Sequence, residues 1–223
     1  MTRGIMMIIA CAIQLGTALL AYQYLTHRGD GACGTKAIFQ PKYDLVSLIV
    51  VLIAFLASAF IFISGFLWNG EGFMRSLMNA EVMIWLSVLG YIDAREKIIP
   101  NCLIGVGLLF WLILALLDIF LGGTPWIQLL VFSGIGGFVC GGVLMVIALI
   151  MKSGLGMGDV KMFFVLGLLY GLTDTYGIFL FTIIPMGLFC IALLLLKKAT
   201  RKTTIPMAPF VVVGFILSII AGM

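Results

Sequence analysis

Apolar residues fill this chain in runs of about twenty, the length that carries a helix across a bilayer core. They lie at 5–25, 45–67, 76–94, 98–121, 126–151, 159–173, 175–197 and 204–222. Short polar or glycine-rich gaps separate them. The pattern predicts an all-α, polytopic transmembrane helix bundle of about eight spans. The sixth run is short, and only Gly171-Leu172-Thr173-Asp174 divides it from the seventh. The first run opens with a single basic side chain, Arg3, and is too long for the apolar part of a cleaved leader, so it is expected to remain as a span.

Charge supports the count of eight. The gaps after runs one, three, five and seven, with the run ends that border them, hold eleven of the thirteen Lys and Arg residues, with Arg3 and Arg75 alone on the other side. Basic loops stay in the cytoplasm, so both termini are expected outside. Asp93 and Asp159 then fall at the same, cytoplasmic, face. Removing one run would break the alternation.

Composition agrees. The chain is 63% hydrophobic and 10% charged, which excludes a soluble domain of 223 residues. A single membrane domain over 1–223 is expected, with a short cytoplasmic loop at 26–44. The cysteines, Cys11, Cys33, Cys102, Cys140 and Cys190, form no C-x-x-C pair. With one histidine, His27, they give neither a zinc site nor a disulfide framework. No metal and no cofactor is expected, and no nucleic-acid partner. The glycines of 126–151, Gly134, Gly136, Gly137, Gly141 and Gly142, read as a surface for close helix packing.

Two segments hold the candidate chemistry: Asp93-Ala94-Arg95-Glu96-Lys97-Ile98-Ile99-Pro100-Asn101 and Gly156-Met157-Gly158-Asp159-Val160-Lys161. An acid at the edge of an apolar run is costly to keep. Taken alone, Asp93 reads as a solvated loop charge and Asp159 as a helix cap. Two such acids on one face, one of them beside alternating glycines Gly154, Gly156 and Gly158, suggest a paired-carboxylate site. The glycines permit unusual backbone angles and close approach of another chain. Pro100 suits the first turn of a helix. Glu81, inside the third run, reads as a packed or hydrogen-bonded residue; Asp118 and Asp174 read as solvated loop charges.

Together the segments resemble the type IV prepilin peptidase family, membrane aspartic proteases of the G-x-G-D class. Asp93, Pro100 and Asn101 match its first motif, an aspartate followed after six residues by P-N. Gly156, Gly158, Asp159 and Lys161 match its G-x-G-D-x-K motif. Ile205-Pro206-Met207-Ala208-Pro209-Phe210, with Gly214, is similar to its I-P-x-x-P-F segment, so the likeness covers roughly 80–222. The family's bifunctional members carry two C-x-x-C pairs between spans one and two. This loop has Cys33 alone, and Ser47 stands where the family has glutamate, so the resemblance does not extend to methylation of the cut pilin.

The resemblance implies an aspartic endopeptidase of a prokaryotic cytoplasmic membrane. Its substrate would be a prepilin or pseudopilin, whose basic leader stays in the cytoplasm while its apolar helix lies in the bilayer. Asp93 and Asp159 would be catalytic, one taking a proton from water and the other polarising the scissile carbonyl. Neighbouring carboxylates cannot both ionise easily. Which one is the base stays open at this point. Gly156, Gly158, Pro100 and Asn101 would shape the site, and Lys161 would tune the acids or anchor at the interface. Presenilin-type proteases share G-x-G-D but need a tyrosine directly before the first aspartate and a P-A-L motif. Tyr91 is one place off, and P-A-L is missing. An ion-coupled transporter needs acids near the midplane and an internal repeat, and the pattern offers neither.

Overall fold

The computed structural model describes residues 2–27, 45–68, 70–119, 125–150, 156–196 and 205–222. Most of the 26–44 loop with Cys33, the gap at 120–124, Gly154 and the basic stretch 197–204 lie outside the described residues. The described residues form helices α1 (Thr2–His27), α2 (Leu45–Ile63, running on into a π-helical turn at Ser64–Trp68), α3 (Phe73–Glu96), α4 (Asn101–Leu117), α5 (Trp126–Ile150), α6 (Met157–Leu195) and α7 (Ala208–Ile220). No strand occurs among them. Five helices are long and apolar enough to cross a bilayer: α1, α2 with its π turn, α3, α5 and α6. The chain is an all-α, polytopic integral membrane protein. Leucine, isoleucine and phenylalanine side chains point outward along these helices; Ile8 and Phe138 are more than 70% exposed. Only lipid makes such a surface tolerable.

The expected boundary between the sixth and seventh runs falls on a break in α6. At 39 residues, α6 would be roughly 58 Å long if straight, about twice the bilayer core. Gly171 interrupts it with φ 69°, ψ −170°. The chain then doubles back. The Thr175 hydroxyl donates to the Leu166 carbonyl at 3.1 Å, and the Phe163 and Phe179 rings meet edge-on at 5.4 Å. Residues nine apart on a straight helix are separated by roughly 13 Å, so these contacts require two antiparallel arms, 157–170 and 172–195. A β-carbon at Gly171 would run into the Phe132 ring and would also need an unfavourable positive φ.

The molecule divides into two compact units, Met1–Tyr91 and Ile92–Met223. In the first, Ala10, Phe62, Leu77 and Ala80 form a small core under Met7, Phe66 and Phe73. Phe66 and Phe73 both pack on Phe62, with centroids 5.7 and 5.9 Å away. Glu81 is buried in α3 near Thr17 of α1, which fits its reading as a packed residue; its Oε1 meets no hydrogen-bond partner among the described residues.

In the second unit the core is Met162, Phe163, Val165 and Leu166 of α6 with Val211 and Phe215 of α7. Tyr170 meets Phe215 edge-on at 5.8 Å. Helix α5 lies against α6 through glycine on both sides. A β-carbon at Gly136 would overlap the Gly167 carbonyl and Gly171, and one at Gly141 would press on Phe164. The expected glycine surface is therefore Gly136, Gly137 and Gly141. Gly134 and Gly142 have open space where a side chain would stand. Periodicity explains the selection: the buried positions of α5 are Ser133, Gly136, Gly137, Gly141 and Leu144, one helical face.

This difference is measurable. Gly136→Ala should destabilise the protein by about 1–3 kcal/mol through overpacking against backbone. Gly142→Ala should be neutral, or more stable by up to about 1 kcal/mol from helix propensity. Thermal unfolding of both variants in the same detergent checks the contrast.

Candidate active site

Helix α3 ends in a way that sets the position of Asp93. Lys97 takes φ 54°, the left-handed conformation that stops a helix, and its N–H donates to the Asp93 carbonyl at 2.8 Å. Asp93 thus occupies the last turn. Ile98 and Ile99 follow, and Pro100 takes an extended conformation (φ −68°, ψ 132°) as the residue before α4. The Pro100 carbonyl accepts from Leu103 and Ile104 at 3.1 and 3.3 Å. That is why α4 starts at Asn101 rather than at 98, where the apolar run begins.

The Asp93 side chain is only 5% exposed. It lies at the carbonyl end of its own helix, where an anion is disfavoured by about 0.3–1 kcal/mol. The compensation comes from α7. The Ala208 N–H donates to Asp93 Oδ2 at 2.9 Å, and the Met207 N–H bonds to the same carboxylate. These N–H groups have no acceptor within α7, because a helix leaves its first donors free. Each hydrogen bond to a charged group contributes about 1.5–3 kcal/mol, so the pair outweighs the opposing helix end. Pro209, at the second position of α7, has no N–H to satisfy and fits there without loss.

Asp159 stands in the first turn of α6. Its N–H donates to the Gly156 carbonyl at 3.0 Å, and its Oδ2 accepts from the Gly156 N–H at 3.3 Å. This is the acidic half of a capping box; glycine has no side chain to supply the other half. The capping expectation and the paired-acid expectation therefore describe one residue. Asp159 is half-buried, and the Asp93 carboxylate is close enough to repel it.

The remaining candidates join the two segments to each other. Lys161 Nζ donates to Asn101 Oδ1 at 2.8 Å, linking the last residue of one motif to that of the other. Gly158 faces Ile99: a β-carbon there would sit 2.7 Å from the Ile99 Cβ. Neither Gly156 (φ −74°) nor Gly158 has the positive φ that the glycine run suggested. Gly158 is small because the other motif's loop lies against it. The Met207 and Ala208 N–H groups were not identified as site groups from sequence. The signal was the Ile205–Phe210 segment, matched without a role. Ile99 left no signal.

The arrangement defines a class: a polytopic membrane protein carrying two aspartates from separate helix ends in one site. A model of the type IV leader peptidase family matches residues 80–191, half of the chain, and takes in both aspartates. The chain belongs to the type IV leader peptidase family. It is also similar to a prepilin leader peptidase/N-methyltransferase of Bacillus subtilis (strain 168), with 29% identity over 154 residues, 68% of this chain and 58% of that protein. The match therefore spans less than two thirds of that relative's length. No solved structure gives a significant match.

The contact between the motifs makes a prediction that needs no substrate. Gly158→Ala should lower thermal stability by about 1–3 kcal/mol. Adding Ile99→Ala should restore part of the loss, a coupling of at least about 0.5 kcal/mol. Melting curves of the two single variants and the double variant measure it.

Proposed function

We propose that this protein is a membrane-embedded aspartic endopeptidase. It removes the short basic leader of prepilin-like or pseudopilin-like substrates at the cytoplasmic face of a prokaryotic membrane. The observation that carries the reading is the approach of Asp93 and Asp159, 66 positions apart in the chain, within one site. The family and the name of the Bacillus relative, a prepilin leader peptidase, support the substrate class.

The chemistry follows from the pair. One aspartate, ionised, takes a proton from a water molecule. The other, protonated, donates to the oxygen of the scissile carbonyl as the water attacks. Proton return to the leaving nitrogen breaks the C–N bond. Lys161 and Asn101 fix the two segments in register, and Gly158 lets them close. A 1 Å displacement at such a site costs about a hundredfold in rate. With the two arms of α6 counted separately, eight helical segments cross the bilayer and both aspartates lie at its cytoplasmic side. Methyl transfer lies outside the proposal, because the 26–44 loop carries a single cysteine.

Co-expression with candidate prepilins, with leader removal read as a mass shift, tests the proposal. The wild-type protein should process its substrate, and Asp93→Asn or Asp159→Asn should abolish processing while the protein stays in the membrane at normal level. Gly158→Ala should slow cleavage about a hundredfold. Full processing by either aspartate variant sinks the aspartic mechanism.

A further inference from the structure

The buried acid of the first unit, Glu81, takes no part in the proposed cleavage, and it does not stand alone. We propose that Gln14, Thr17, Ser58 and Glu81 form a binding site for one alkali cation of sodium size, held between α1, α2 and α3.

The register of the three helices brings these residues to one level. Phe66 and Phe73 flank the turn between α2 and α3 and, with Met7, cover the small core of Ala10, Phe62, Leu77 and Ala80. The next layer, further from that turn, lies on the same helix faces. Gln14 follows Ala10 by four residues, Ser58 precedes Phe62 by four, and Glu81 follows Leu77 by four. Thr17 shares the face of Gln14 and lies near the Glu81 carboxyl. Gln14 is 1% exposed, Ser58 0% and Glu81 5%. An apolar layer thus gives way to a polar one inside the first unit. Its depth is that of a membrane interior: Glu81 lies about 12 Å along α3 from Phe73.

This polar layer is short of partners. Gln14 Nε2 and Glu81 Oε1 meet no hydrogen-bond partner among the described residues. A buried orphan of this kind marks a place for a water molecule or an ion. Both hydroxyls use their hydrogens on main-chain carbonyls: Ser58 donates to Phe55 at 2.9 Å and Thr17 to Gln14 at 3.0 Å. What the hydroxyls offer the layer is lone pairs. Turning the Gln14 amide over presents its carbonyl oxygen in place of the orphaned nitrogen. The layer then supplies a carboxylate, an amide oxygen and two hydroxyl oxygens, the donor types that suit a hard cation.

Charge selects which one. An ionised carboxylate in the bilayer needs an opposite charge. The basic residue nearest to Glu81 in sequence is Arg75, six positions earlier and on another face of α3. A water molecule would satisfy hydrogen bonds and leave the charge. A proton on Glu81 would remove the charge and leave the Gln14 amide and the hydroxyl lone pairs unanswered. A divalent cation would reverse the charge, and no group of three His, Cys, Asp or Glu side chains occurs among the described residues. One monovalent cation makes the layer neutral and engages all four side chains. It would tie α1 to the hairpin of α2 and α3, independently of Asp93 and Asp159.

Thermal unfolding of the full chain in detergent reads the site, with sodium chloride exchanged for choline chloride at constant ionic strength. The wild-type midpoint should rise with sodium, by about 3–6 °C for each tenfold once the dissociation constant is passed. Glu81→Gln, neutral without a cation, should melt at the same temperature in both salts. Ser58→Ala should need about tenfold more sodium for the same rise. Equal wild-type midpoints in sodium and choline overturn the proposal. So does a sodium response that survives in Glu81→Gln. Should Glu81→Gln fail to fold, Ser58→Ala decides alone, and an unshifted response there overturns it. No substrate is present, so failure to cut prepilins would remove the proposed function and leave this site standing.

Discussion

A carboxylate buried at the carbonyl end of a helix is a poor arrangement, and the site is organised around correcting it. Asp93 has water on almost no side, and the free carbonyls of α3 lie close by. What makes the position tenable is the free N–H end of α7, brought up so that Ala208 donates at 2.9 Å. The donors at a helix start need an acceptor and the buried carboxyl oxygens need donors, so each satisfies the other's deficit. The last helix is therefore coupled to the end of the third by a buried hydrogen bond across 115 residues of sequence.

The packing of the second unit places the other carboxylate against this anchored one. Helix α6 folds back at Gly171, and its first arm is fixed by glycine contacts to α5 and by Tyr170 against Phe215 of α7. The start of that arm, with Asp159, meets the loop after α3. Gly158 admits Ile99, and Lys161 reaches Asn101. Steric room at one point and one hydrogen bond at another define how near the acids come. Neither contact involves the carboxyl groups themselves, which stay available for chemistry.

Much of this was readable in the sequence, for reasons that differ by residue. The runs of apolar residues gave the helices because lipid demands them. Gly171 marked the hairpin because only glycine takes its backbone angles next to Phe132. Pro100 marked the start of α4 because proline cannot continue a helix backwards. Other features could not be read. Five glycines in α5 look alike in sequence, and only packing shows that three touch α6. Gly158 suggested backbone freedom, and the structure gives it no positive φ but a close neighbour, Ile99. The donors to Asp93 are main-chain groups, which every residue but proline has, so nothing in the letters Met207-Ala208 announces them.

The claim on which the account stands is that the segment after α3 and the start of α6 close on one another in the folded protein. Cysteines at Asn101 and Lys161, joined by a short thiol-reactive linker in the native membrane, test it most directly. Mass spectrometry of the digested protein should then find the peptides containing 101 and 161 joined within one chain, as frequently as a control pair placed at Phe163 and Phe179. Linkage of the control pair without linkage of 101 to 161 would contradict the account.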